Sequence, residues 1–138
     1  MNTKILYIDN DEASYFLVSE LLEGCNVEIQ HARCGLRAVQ IFNANPSFNL
    51  VITELKLPEI DGFGVLRAIR KINPTIPIIA QTATVVNNSK FTCLNSGFSE
   101  YIKKPIDFRE FVSVVKKYSS TEQEIKLECL DVEEFVTI

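Results

Sequence analysis

What most constrains the fold of this chain is a rhythm in its apolar residues. Short continuous apolar runs alternate with segments whose apolar positions recur every three to four residues. Ile5-Leu6-Tyr7-Ile8, Leu50-Val51-Ile52 and Ile76-Pro77-Ile78-Ile79-Ala80 are runs of the first kind. They suit strands buried on both faces, as the inner strands of a parallel sheet are. Pro77 lies near the start of its run, where a missing N–H is tolerated. Val27-Glu28-Ile29-Gln30 alternates instead, which suits an edge strand with one wetter face. Tyr101-Ile102 is a short fifth strand.

The intervening segments carry the helical period. Residues 12–22 place Phe16, Leu17, Leu21 and Leu22 at helical spacing and stop at Gly24. Residues 36–43 place Leu36, Val39 and Phe42 on one side, and Asn45-Pro46 breaks the pattern. Residues 62–73 carry Val65, Leu66, Ile69 and Ile72, and a weaker helix over 88–96 carries Phe91 and Leu94. Asp107 and Glu110 form a capping box for a last helix running to about Lys117, with Phe108, Phe111, Val112 and Val115 on one face. Five strand–helix repeats result, each crossover roughly 20 residues, the length a parallel βαβ unit needs. The expected fold class is α/β: a three-layer (βα)5 flavodoxin-like arrangement with parallel strand order 2-1-3-4-5. That order puts the alternating second run and the short fifth run at the edges.

Composition narrows the function. The net charge is −4, unevenly spread. Residues 119–138 hold six acids and one base, while residues 1–118 hold 13 bases and 12 acids. No basic stripe exists for nucleic acid to bind. The apolar run near the N-terminus is too short for a signal peptide or a membrane span, so a cytoplasmic protein without membrane contact is expected. Cys25, Cys34, Cys93 and Cys129 show no CxxC spacing and are expected to be reduced, mostly buried small hydrophobes. The lone His31 is expected to be structural or on the surface.

In an open α/β sheet, ligands bind beyond the carboxyl ends of the strands, at the point where the strand order reverses. Here those ends read Asp9-Asn10-Asp11, Glu54, Gln81-Thr82-Ala83 and Lys103-Lys104-Pro105. Given the order, acids, a hydroxyl and an ammonium meet at one rim. No Gly-rich phosphate loop follows the first strand, which argues against a flavodoxin-type cofactor binder.

Over residues 3–118 the segments IDND, ITELKLPEIDG, IIAQTA and GFSEYIKKPID follow one another in order. Together they resemble the receiver domain of two-component response regulators, the CheY-like domains of phosphorelay signal transduction typical of bacteria. The resemblance implies a role for each rim residue. Asp9 and Asn10 stand where receivers hold Mg²⁺, with the backbone carbonyl of Lys56 as a further ligand. Glu54 stands at the phosphoacceptor position, normally Asp. Thr82 and Lys104 stand where the phosphoryl oxygens are held. Ala83 is the small residue that leaves room for them, and Tyr101 is the aromatic that rotates on activation. The output surface would be helix 4, strand 5 and helix 5, around residues 88–117.

Two departures decide the expected function. Asn10 offers a neutral oxygen in place of a carboxylate, poor compensation for Mg²⁺. Glu54 carries its carboxylate about 1.3–1.5 Å further out than Asp would, and misplacement of that order slows in-line phosphoryl transfer by about 10²-fold or more. Its added reach is expected to bring the charge toward Thr82 and Lys104. The expected function is a pseudo-receiver, not an enzyme, acting by protein–protein interaction. The alternatives are a phosphorylatable single-domain response regulator with an unusual acidic site, or an inert interaction scaffold. No cofactor is expected, and Mg²⁺ at most weakly held. Partners are proteins: a histidine kinase, a downstream target or a second copy of the chain. The receiver is expected to span 1–118. Residues 119–138 are too few for an output domain, and form an acidic, apolar extension expected to dock on its own domain or a partner.

Overall fold

The computed structural model describes residues 3–83 and 89–118. Five strands alternate with five helices: β1 (Thr3–Ile8), α1 (Glu12–Leu21), β2 (Val27–Ala32), α2 (Gly35–Ala44), β3 (Leu50–Glu54), α3 (Gly62–Ile72), β4 (Ile78–Thr82), α4 (Ser89–Ser96), β5 (Glu100–Lys103) and α5 (Phe108–Tyr118). The sheet is parallel in the order β2-β1-β3-β4-β5. This is the flavodoxin-like order expected from the positions of the continuous and alternating runs.

The continuous runs are explained by the two cores they serve. Ile5, Tyr7, Leu50, Ile52, Ile79 and Ile102 face one core, packed with Val18 and Leu21 of α1 and Phe111, Val112 and Val115 of α5. Leu6, Ile8, Val51, Ile78 and Ala80 face the other, with Ala38 and Phe42 of α2, Val65, Leu66 and Ile69 of α3, and Cys93 of α4. Successive strand residues point to opposite faces, so an inner strand between two helical layers has no polar side. Full burial of each such side chain contributes about 1.5–3 kcal/mol.

Local chemistry sets the helix starts. Asp11 caps α1 by accepting the Ala13 N–H at 3.0 Å, and Asp61 caps α3 by accepting the Gly64 N–H at 2.9 Å. Asp107 accepts the N–H groups of Arg109 and Glu110 at 3.0 and 3.1 Å, the cap expected there.

Several expectations are displaced. The fourth strand runs two residues later than 76–80. Both backbone groups of Ile76 are taken elsewhere, its N–H by Asn73 Oδ1 and its carbonyl by the Arg70 guanidinium. Phe16, Leu36, Ile72, Phe91 and Leu94, which carry the helical period, are exposed. Val18, Ala38 and Cys93 are buried from the same helices instead, because each helix contacts the sheet along a narrower stripe than its apolar content implies. Cys34 and Cys93 are free, whereas Cys25 is disulfide-bonded, which corrects the expectation of a fully reduced set. The expected extension over 119–138 lies outside the described residues.

Candidate functional site

Four strands deliver side chains to one spot by simple alternation. Asp9 follows Tyr7 by two residues, Glu54 follows Ile52, Gln81 follows Ile79 and Lys104 follows Ile102. Each earlier residue of these pairs faces the α1/α5 core, so each later one rises at the rim of that same face. Register completes the placement: Glu54 lies beside Gln81, and Thr82 beside Lys103.

Lys104 is the hub. Its ammonium lies 2.6 Å from Asp9 Oδ2 and 3.2 Å from Glu54 Oε1, with only 12% of its side chain exposed. Burial alone would lower its pKa. The bond and charge of Asp9, followed by those of Glu54, outweigh that and hold it above the usual lysine value. The lysine is therefore a fixed cation. Its own N–H donates to the Thr82 carbonyl at 3.0 Å, which fixes these two residues side by side, and the Lys104-Pro105 peptide is cis.

Glu54 uses its extra methylene in an unexpected direction. Oε2 curls back to accept the N–H of Leu55 at 2.6 Å and of Lys56 at 3.2 Å. Oε2 thus turns over the chain's own backbone, while Oε1 reaches Lys104 at 3.2 Å. The shorter lysine contact goes to Asp9. Gly62 keeps this loop tight: its N–H donates to the Leu55 carbonyl at 2.8 Å, and a Cβ there would sit 2.6 Å from the Glu54 carbonyl oxygen.

Asp9 is buried and fully engaged. Oδ1 accepts the Asp11 N–H at 2.9 Å, and Oδ2 faces Lys104 and, at 3.5 Å, the Tyr7 hydroxyl. His31 Nε2 bonds the Asp9 carbonyl at 2.8 Å and its ring stacks on Tyr15 at 4.2 Å, the structural part expected of it. Asn10, Lys56 and Ala83 are exposed, Thr82 is buried, and Tyr101 is half-buried against the α2/α3/α4 core.

Sequence reasoning missed the floor of this site. Gln81 Nε2 donates to the Tyr7 hydroxyl at 2.6 Å in a fully buried position, while Gln81 Oε1 has no partner. Burial first, and the charge of Asp9 second, push the Tyr7 hydroxyl well above the usual tyrosine pKa. The signal was present in the sequence: a Tyr and a Gln inside otherwise apolar runs, each two residues from a residue on one sheet face.

The site carries two carboxylates, and both face donors. Mg²⁺ requires an octahedron of oxygens with little tolerance. Asp9 and Glu54 are turned to N–H groups and an ammonium, and Asn10 adds no charge. Among the described residues no three His, Cys, Asp or Glu side chains converge in a way that could hold a metal ion. Two carboxylates already facing donors, with a neutral Asn10 beside them, make a poor donor set for Mg²⁺.

Comparison with known proteins agrees with the fold. The family model for the response regulator receiver domain matches residues 5–116. The chain belongs to the receiver domain family of response regulators, the signalling modules of two-component systems. It is 32% identical over 121 residues to the sensor protein GacS of Pseudomonas syringae pv. syringae, a match that covers 84% of this chain and 13% of GacS. The crystal structure of a putative response regulator from Chloroflexus aurantiacus J-10-fl superposes with a TM-score of 0.79 at 27% identity, over 86% of this chain and 98% of that one. The receiver domain of the sensor histidine kinase PA1611 from Pseudomonas aeruginosa, solved with a magnesium ion in its active site cleft, shares the fold with a TM-score of 0.76 at 22% identity, over 86% of this chain and 98% of that one. Receiver domains interact with histidine kinases and downstream effectors and are generally not enzymes. Among the described residues no helix is long and apolar enough to cross a membrane.

Proposed function

We propose that this chain is a pseudo-receiver, comprising residues 1–118, that signals by protein–protein contact without a phosphorylation cycle. The observation that carries the reading is the Glu54 carboxylate, held by Lys104 and by the amides of Leu55 and Lys56. In-line transfer needs an acceptor oxygen free to meet the phosphorus with a metal beside it. Here Oε2 is committed to two N–H groups, and the positions where receivers hold their metal carry one Asp and one Asn. A permanent anion against Lys104 imitates part of a phosphoryl group, which carries more charge and three acceptor oxygens. The protein partner reads that fixed state on the α4–β5–α5 side, where Phe91 and Leu94 are exposed. The extension at 119–138 is proposed to dock on its own domain or on that partner.

Treatment with a small acyl phosphate and Mg²⁺, read by intact mass, tests the reading. The expected result is no gain of a phosphoryl group on the wild type. A stable acyl phosphate on residue 54 would instead establish the phosphorylatable alternative, which the magnesium-bound PA1611 receiver makes worth testing. Glu54→Gln addresses the third possibility: it should weaken binding of the kinase or target, whereas unchanged affinity would point to an inert scaffold.

A further inference from the structure

The chain has four cysteines, Cys25, Cys34, Cys93 and Cys129. Cys34 and Cys93 are free, and Cys25 is disulfide-bonded, so its sulfur pairs with neither of them. Cys25 is buried in the cluster of Val18, Leu21, Leu22 and Val115, against which Tyr118 also packs. It occupies the turn before β2, between two left-handed residues, Gly24 and Asn26 (φ 82° and 59°). The Thr3 N–H donates to the Asn26 carbonyl at 3.1 Å, so this turn sits at the edge of the sheet where the strands begin. Helix α5 ends at the same edge. The Tyr118 hydroxyl lies 3.2 Å from the Ser99 carbonyl and 2.9 Å from Glu100 Oε2, at the start of β5.

We propose that residues 119–138 cross this edge and are anchored there by a Cys25–Cys129 disulfide, a tether that the glutathione couple closes and opens. The inference rests on the reading that the extension docks, and narrows it to one surface of its own domain. Length permits the crossing. Strands β5 and β2 are four strand spacings apart in the sheet, about 19 Å. Cys129 lies 11 positions after Tyr118, a reach of about 36 Å when extended. Charge favours it. Residues 119–138 hold six acids and one base. Helices α3 and α5 end at this edge in Arg70-Lys71 and Lys116-Lys117, and Lys4 lies near the start of β1. Glu20 and Glu23, near the end of α1, oppose that charge close to Cys25. A covalent bond holds the chain where exposed charges, each weak in water, would not. Closure balances as a thiol–disulfide exchange. The Cys129 thiolate attacks glutathione disulfide and releases one glutathione; the Cys25 thiolate then displaces the second. Two protein thiols are oxidised, one glutathione disulfide is reduced, and the two protons end on the two glutathiones.

The test equilibrates the full 138-residue chain with glutathione disulfide or with reduced glutathione, then denatures, alkylates and digests it without further reduction. The oxidised sample is expected to yield a peptide pair joining Cys25 to Cys129, and the reduced sample both cysteines alkylated. On the folded protein, tryptic cleavage after Lys126 is expected to be roughly tenfold slower in the oxidised form, as for a segment that must first open. Cys129→Ser, which leaves the buried Cys25 in place, should cleave at the reduced rate in both buffers, whereas Cys34→Ser should behave as the wild type does. An alkylated Cys25 in the oxidised sample overturns the proposal, and so does a link from Cys25 to Cys34, to Cys93 or to a second copy of the chain. Equal cleavage in the two buffers overturns it as well. If cleavage is slow in both, the extension docks without the tether; if it is fast in both, the docking reading fails with it.

Discussion

Replacing Tyr7 with Phe removes a single oxygen from the floor of the site, and the geometry around it sets the consequence. The ring stays in place against Tyr15 and His31. What goes is the acceptor of the 2.6 Å bond from Gln81 Nε2 and the hydroxyl 3.5 Å from Asp9 Oδ2. A net hydrogen bond is worth about 1 kcal/mol, and a buried donor left without a partner costs about 1–3 kcal/mol more. Gln81 already carries one orphaned oxygen, so Tyr7→Phe strands the whole amide and should destabilise by about 2–3 kcal/mol. Gln81→Leu works differently. It gives up the same bond but also deletes the orphaned oxygen at nearly constant volume, so it should fall within about 1 kcal/mol of the wild type. The double variant has no buried polar atom left to strand and should recover most of the Tyr7→Phe loss. Urea denaturation of all four proteins closes the cycle, with an expected coupling of about 2 kcal/mol. Losses that simply add, to within about 0.5 kcal/mol, would refute the claim that the amide and the phenol act as one unit.

Three further outcomes follow from the same geometry. Lys104→Met leaves two buried carboxylates without their cation and should cost about 3–5 kcal/mol in denaturant unfolding, with little dependence on salt; a loss below about 1 kcal/mol would place the pair in solvent. Gly62→Ala puts a Cβ 2.6 Å from the Glu54 carbonyl oxygen and 2.9 Å from the Leu55 Cα, both backbone atoms. It should lower the melting temperature by a loss of about 1–3 kcal/mol, and an unchanged melting curve would contradict the close approach. Tyr7 and Lys104 both hold their protons above their ordinary values in the folded state. The unfolded chain gives those protons up first as pH rises, so their contribution to stability is intact below about pH 10 and falls above it. Denaturation midpoints should therefore drop on the alkaline side, and less steeply for Tyr7→Phe; a flat profile would argue against the buried phenol.

Much of the fold was legible because burial on two faces leaves a mark that a half-buried strand does not. Leu50-Val51-Ile52 has no polar residue, and the structure places it centrally between β1 and β4. Val27-Glu28-Ile29-Gln30 alternates and forms an edge. The site's membership was legible for a related reason: strand order brings the ends of β1, β3, β4 and β5 to one rim whatever the side chains do there. Helix faces were harder. Phe16 and Phe91 fit the helical period and yet are 65% and 58% exposed. Which of several apolar stripes meets the sheet is decided by how the helix is set down on it.

The amino-acid sequence by itself determined the backbone plan and the list of groups at the rim, because periodicity, caps and turn residues act over a few residues at a time. Only the tertiary structure decided how those groups are paired. Glu54 turns back onto the amides of Leu55 and Lys56, Lys104 gives its shorter contact to Asp9, and Gln81 shares a bond with Tyr7. These pairings join residues up to 95 positions apart. Electrostatic and hydrogen-bond partners are chosen by distance and burial after the sheet has closed, and neither quantity is written along the chain.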